Sequence, residues 1–192
     1  KKKEKIKGSK RVTTERRDID NFQELVIEDN LEVHLERGEK AEVKIEADEN
    51  LHEIISLEQY NKTLRIYTTQ LASSYKKMIV RVTYTDNLNL ISSKNESSIN
   101  AIQELLLDKV TINAFDSSKL FINVKTQNFV LQAGDKTKTE LNLKSENTTI
   151  ELNKNASLKA LVVTDVLKVD QYQKSSATVE GNATSAAIRL DN

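Results

Sequence analysis

The second half of this 192-residue chain repeats at intervals of about 20 residues. Each unit contains two short segments in which apolar and polar residues alternate. One set of apolar residues recurs at spacings of 22, 19, 19 and 19, and its members are Leu90, Ile112, Leu131, Ile150 and Val169. A second set recurs at spacings of 21, 21, 17 and 21, and its members are Ile99, Leu120, Leu141, Leu158 and Val179. Five copies of one short unit predict a stack in which each unit buries its apolar side against its neighbours.

The alternation decides between the two architectures that use repeats of this length. A leucine-rich repeat would have one strand and one helical or loose segment per unit, and residues 107–113 match its strand motif. The other half of each unit is also strand-like, however, as in residues 120–124 and 141–143. Two strands and two turns make one coil of a β-solenoid. The sequence therefore predicts an all-β fold, a right-handed parallel β-helix with about five C-terminal coils.

Polar turns separate the two apolar sets at residues 95–98, 116–119, 135–138 and 153–156. Asn, Asp, Ser and Thr are typical of turns because their side chains hydrogen-bond the local backbone. If the coils are in register, polar residues recur at nearly the same place along the surface and form a ladder, and its members are Glu96, Asp116, Asp135 and Asn155. Turn formation is the main interpretation of these residues. Stacked carboxylates also leave open a cation site or a catalytic pair.

The first half alternates with a period of two from Phe22 to Tyr84, which predicts strands with one buried face. We expect residues 18–192 to form a single β-helical domain. In it, residues 18–87 are N-terminal strands that cap the stack, and residues 88–192 are the repeated coils. The coil residues shrink from Val179 to Ala187, which indicates the terminal coil. Residues 1–17 are polar and basic and predict a flexible leader.

Composition argues against several kinds of function. Lys and Arg together number 29, as do Asp and Glu, so the basic excess of a duplex-binding protein is missing and no nucleic-acid partner is expected. A chain without Cys has no disulfide and no thiolate metal site. His34 and His52 cannot form a metal site alone, although His34 shares a strand face with Glu32 and Glu36. We expect no cofactor.

No stretch of the sequence approaches the roughly 20 apolar residues that cross a bilayer, so no transmembrane segment is expected. The chain begins with a basic run that is not followed by the apolar core of a signal peptide. We therefore expect any export signal to have been removed already or to be left out of this sequence. A missing N-terminus leaves room for a membrane tether.

Short strand motifs in the first half also match a known family. The matching positions are residues 21–27, 31–35, Gly38, 46–51, 62–66 and 80–84, followed by the repeated coils. With these motifs the chain resembles the putative auto-transporter adhesin, head GIN domain family over residues 11–192. Many members have a small Ser-Gly-Ala-Ser-like turn in each coil, whereas residues 96–98, 116–118 and 174–176 lack the Gly. The resemblance implies a β-helical fold in secreted or surface proteins of Bacteroidetes, and it supplies no catalytic residue. It also implies an extracytoplasmic location after signal removal, in the periplasm, at the outer membrane surface or secreted.

These observations predict a non-catalytic, adhesin-like module that presents a rigid β-face to a glycan or to an envelope or surface protein. The alternative is a carbohydrate-active β-helix enzyme that cleaves an acidic polysaccharide with Asp116 and Asp135. Such an enzyme needs a groove lined by acids, basic residues and aromatic side chains. A structural spacer without a partner is the third hypothesis.

Overall fold

The computed structural model describes residues 2–191, so Lys1 and Asn192, which belong to the predicted leader and coil segments, lie outside the described residues. The first half contains a 3-10 helix (Glu49–Ile54) and nine strands: β1 (Lys5–Lys7), β2 (Val12–Asp18), β3 (Glu24–Ile27), β4 (Glu32–Arg37), β5 (Glu42–Asp48), β6 (Ile55–Tyr60), β7 (Thr63–Thr68), β8 (Leu71–Ser73) and β9 (Met78–Tyr84). The second half contains β10 (Leu90–Ser93), β11 (Ser98–Leu106), β12 (Lys109–Ala114), β13 (Lys119–Ala133), β14 (Lys138–Leu152), β15 (Ser157–Gln171) and β16 (Ser176–Leu190). Within the described residues, no helix is long and apolar enough to span a bilayer.

The parallel strands form two faces around one apolar core. Face 1 consists of β7, β3, β10 and β12, followed by the second halves of β13 to β16. Face 2 consists of β9, β4, β11 and the first halves of β13 to β16. Each of the long strands turns a corner at its middle, where two consecutive exposed residues interrupt the alternation. Inward positions hold mainly Leu, Ile, Val and Ala, nearly all of them excluded from solvent.

The predicted parallel β-solenoid is confirmed, with about five turns. The register of its apolar sets differs in detail from the predicted one. Ile91, rather than Leu90, stacks on Ile112. In the second set the buried Thr139 lies between Leu120 and Leu158, so the spacing becomes a uniform 19 residues from β13 onward. The sequence pattern was misaligned there because an inward threonine interrupts an otherwise aliphatic row.

The first half contributes coils of its own, and their order along the stack differs from their order in the chain. β3 lies between β7 and β10, and β4 lies between β9 and β11. Residues 24–37 therefore form a coil that is enclosed by residues 63–84 on one side and by the coil beginning at Leu90 on the other. The antiparallel strands β2, β5 and β6 cover the outer end. Of residues 18–87, which were predicted to cap the stack, only the antiparallel strands thus cover its end, and the other strands form coils.

The segment predicted as a flexible leader is instead paired with the rest of the fold. β1 runs parallel to β8, and β2 runs antiparallel to β5. The fully buried Asp48 accepts hydrogen bonds from three backbone amides at 2.9–3.1 Å, and the donors are Lys10, Lys76 and Lys77. Gly8 packs so closely here that a Cβ would lie 2.1 Å from the Asp48 carboxylate. The polar composition concealed this segment because backbone pairing and hydrogen bonds with polar side chains hold it, rather than a run of apolar side chains.

Candidate functional site

Five polar turns stack where the chain passes from face 1 to face 2. Each contains two consecutive residues with positive φ, and the pairs are 95–96, 116–117, 135–136, 154–155 and 173–174. Two left-handed residues in succession define a tight two-residue turn, a conformation that Asn and Asp tolerate well. The amide of the second residue in one turn donates to the carbonyl of the first residue in the next turn, at 2.8–3.0 Å. The turns are therefore joined into one backbone ladder.

The four predicted ladder residues all line one open groove along these turns, but they occupy two positions. Asp116 and Asp135 hold the first turn position in adjacent coils. Glu96 and Asn155 hold the second position. The members of the predicted ladder therefore lie at the two neighbouring positions of the stacked turn pairs.

Neighbouring polar groups compensate the two stacked carboxylates. The Asn95 Nδ2 group donates to Asp116 Oδ2 at 3.5 Å, and Lys154 Nζ lies 3.9 Å from Asp135 Oδ1. The described residues that line the groove are Asn, Asp, Glu, Lys and Ser, without an aromatic side chain. In residues 2–191, no group of three or more His, Cys, Asp or Glu side chains is arranged to hold a metal ion. The groove thus has acids and lysines but lacks the aromatic platform that we required of a polysaccharide-cleaving site.

Both histidines take part in local contacts. His34 Nε2 lies 2.9 Å from the Glu32 carboxylate on the same strand face. His52 is largely buried, and its Nε2 lies 2.9 Å from the Thr13 hydroxyl while its Nδ1 lies 3.1 Å from the Glu15 carboxylate. His52 thereby helps to fix β2 against the 3-10 helix.

A second surface, which sequence reasoning missed, lies on the outward side of face 2. Ile102, Phe121 and Leu161 expose 78%, 43% and 54% of their surface. With Asn123 and Asn142 they line a shallow depression of about 430 Å³, and we call these five residues the face-2 patch. The signal was present in the sequence, since Phe121 and Leu161 are apolar residues at outward positions of alternating strands.

Two asparagines support the floor of the face-2 patch. Asn142 Nδ2 donates to Asn123 Oδ1 at 2.7 Å, and Asn123 Nδ2 donates to the Ile102 carbonyl at 2.8 Å. A bulge between Ala101 and Leu105 pushes the intervening residues of β11 outward, which accounts for the exposure of Ile102. Charged residues of both signs line the rim, namely Glu140, Lys159 and Glu180. The arrangement suits contact with a partner that has apolar groups and polar groups around them.

Comparison with solved structures finds the same fold in bacterial proteins of low sequence identity. A putative adhesin from Parabacteroides merdae is 16% identical, with a TM-score of 0.59 over 97% of this chain and 95% of that chain. A putative adhesin from Bacteroides fragilis is 15% identical, with a TM-score of 0.60 over 96% of this chain and 99% of that chain. A putative lipid binding protein from Parabacteroides distasonis is 10% identical, with a TM-score of 0.62 over 97% and 99%. No curated protein matches the chain.

A family model matches nearly the whole solenoid. It covers residues 21–191, from the enclosed first coil through β16. The resemblance predicted from the short strand motifs is confirmed by this match. The chain therefore belongs to the family described as putative auto-transporter adhesin, head GIN domain.

Proposed function

We propose that this protein is a non-catalytic, adhesin-like module of the cell envelope or extracellular space that binds a surface partner through the face-2 patch. The observation that carries the proposal is the exposure of Ile102, Phe121 and Leu161 around one depression. Apolar residues scattered singly over a surface need no explanation, but three exposed apolar residues around one depression with charged residues at its rim are typical of an interaction site. The adhesin names of the family and of two structural neighbours support the general class of function.

The fold makes this patch a preorganised surface. Its residues lie on the adjacent parallel strands β11, β13, β14 and β15, with a continuous register from β13 to β15 and Ile102 in the bulge of β11. Neighbouring strands lie about 4.8 Å apart, so the backbone ladder fixes the lateral positions of the patch side chains on β13, β14 and β15. The hydrogen bond from Asn123 Nδ2 to the Ile102 carbonyl holds the bulge beside them. A partner therefore binds without first ordering a loop, which lowers the entropic cost of association.

The chemistry of the patch favours an envelope or surface protein as the partner. Two of its three apolar side chains, Ile102 and Leu161, are branched aliphatic groups, whereas sugar rings stack best on aromatic planes. Phe121 is the one aromatic residue in the patch. The rim charges Glu140 and Lys159 have opposite signs, as is common around the core of a protein interface. A glycan is the other outcome that the experiment distinguishes.

The test is saturable binding of the labelled chain to envelope preparations of the bacterium that produces it. We expect the double variant Phe121→Asp/Leu161→Asp to lose affinity by about tenfold or more, because it places charges in the centre of the interface. The matched control is Tyr60→Asp/Val166→Asp, which changes two exposed residues outside the patch and should bind as the parent chain does. Circular dichroism and thermal unfolding confirm that both variants fold.

Pretreatment of the envelope separates the two kinds of partner. Binding that disappears after protease treatment supports a protein partner. Binding that survives protease but disappears after periodate oxidation of sugars identifies a glycan as the partner. Equal affinity of the patch variant and the control would contradict a role for the face-2 patch.

A further inference from the structure

Within residues 2–191, the last strand of the solenoid has one unpaired edge. β16 pairs with β15, and no other described strand pairs with it. Ile188 and Leu190 lie at inward positions of this last coil, yet they expose 64% and 71% of their surface. An unpaired edge of this length offers its backbone N–H and C=O groups to another strand. The opposite end of the stack differs, because the antiparallel strands β2, β5 and β6 cover it.

The free backbone groups of β16 belong to its inward residues. Ser176 and Asp191, at the two ends of the strand, donate their amides toward the preceding coil, to the carbonyls of Ala156 and Gln171. Amides of successive strand residues point to opposite edges, so every second residue points away from that coil. On both sides of the corner these residues are the inward ones, namely Ala177, Val179, Gly181, Ala183, Ala186, Ile188 and Leu190.

This edge is complementary to a second copy of itself. We infer that two copies of the chain associate tail to tail through antiparallel pairing of their β16 strands. A twofold axis between Thr184 and Ser185 places the corner of one copy over the corner of the other. It also matches inward residues with inward residues, in the pairs Val179–Leu190, Gly181–Ile188 and Ala183–Ala186.

The backbone orientation agrees with this register. Both members of each pair direct their N–H and C=O groups to the free edge, as an antiparallel hydrogen-bonded pair requires. Each such pair exchanges two hydrogen bonds, so the three pairs and their symmetry mates give roughly 12. The apolar side chains of Ile188 and Leu190 become covered by the interior of the second solenoid. The two cores then form one continuous core with a capped end on each side.

Charge fixes the same register independently. Glu180 and Arg189 are the two charged residues of β16, and both are exposed at outward positions. The antiparallel register places Glu180 of one copy opposite Arg189 of the other, and the twofold axis repeats the pair. Cross-strand pairs of opposite charge are favourable and pairs of like charge are unfavourable, so these residues select this register over its neighbours.

The test is the mass of the 192-residue chain in solution. Sedimentation and light scattering measure it at chain concentrations from about 1 to about 100 µM, which spans the dissociation constants expected of such a contact. We expect the parent chain to reach twice the mass of one 21.8-kDa chain, without larger species, because the other end is capped. Glu180→Arg and Arg189→Glu should each raise the dimer dissociation constant by roughly tenfold, since each creates two like-charge pairs. The exchanged double variant Glu180→Arg/Arg189→Glu should restore the dimer.

Glu39→Arg is the matched control, because it makes the same charge change at an exposed position between β4 and β5, outside this edge and outside the face-2 patch. It should leave the dimer intact, whereas Ile188→Lys should abolish it by placing an inward charge on the edge. A parent chain that stays monomeric at about 100 µM would overturn the inference. This holds both if another segment covers the β16 edge and if the edge stays free. A dimer that neither single charge variant weakens, or that the exchange fails to restore, would overturn it equally.

Discussion

At the scale of single residues, Asp48 joins three parts of the chain that are distant in sequence. Burial acts to raise the pKa of its carboxyl group, but hydrogen bonds from the backbone amides of Lys76, Lys77 and Lys10 outweigh burial and hold the pKa below its usual range. Asp48→Ala leaves these buried donors without an acceptor, so we expect a loss of roughly 3 kcal/mol in the free energy of unfolding. Urea unfolding measures the loss. The exposed Asp18→Ala is the control, and an equal effect of both would contradict this role.

Glu46 gives the protein a defined dependence on pH. Hydrogen bonds from Arg81 at 2.7 Å and from Lys77 at 2.6 Å lower the pKa of its carboxyl group from 4.5 to about 2. Because the folded-state pKa lies below the unfolded value, the stabilisation is present above pH 4.5 and is lost as the pH falls toward 2. We expect Glu46→Gln to flatten the fall in unfolding free energy across this window. Glu140→Gln, at an exposed position, should reproduce the parent profile.

At the scale of the elements, each strand of the stack covers the one before it. β16 shields the inward side chains of β15, and Leu158, Val162 and Val169 are each 3% exposed or less. Deleting residues 175–192 would uncover this larger aliphatic edge, so we expect aggregation. Light scattering and the soluble fraction measure it. The full chain with Ile188→Lys is the control, because it keeps β15 covered, and a soluble, monodisperse deletion variant would count against the solenoid.

How far the sequence predicted the elements depends on where their signal lies. Alternation with a repeat of about 20 residues predicted the strands and polar turns of the second half because both are local patterns. The register of the apolar sets failed at Leu90, where the neighbouring Ile91 is the inward residue, and at Thr139, where a threonine takes an inward position. β1 and β2 were missed because their order comes from distant partners such as Asp48. The face-2 patch was missed because it joins residues from four strands.

At the scale of the whole molecule, the order of coils is the feature that the sequence could not reveal. The coil formed by β3 and β4 comes first in the chain but lies inside the stack, with β7 and β9 beyond it. No local pattern encodes this arrangement, since all the strands have similar alternation. The first half therefore supplies both coils of the solenoid and the strands that cap it. Because β4 pairs with β9 and with β11, face 2 continues from the first half into the repeated coils.

Cysteine pairs test this coil order most directly, because the chain has no Cys of its own. Glu24 in β3 is in register with Thr63 on one side and with Leu90 on the other. Adjacent strands lie about 4.8 Å apart, within the Cα separation that a disulfide allows, whereas strands two apart lie beyond it. We predict that mild oxidation closes a disulfide in Glu24→Cys/Thr63→Cys and in Glu24→Cys/Leu90→Cys, but not in Thr63→Cys/Leu90→Cys. A disulfide in the third variant together with none in the first two would contradict the enclosed coil.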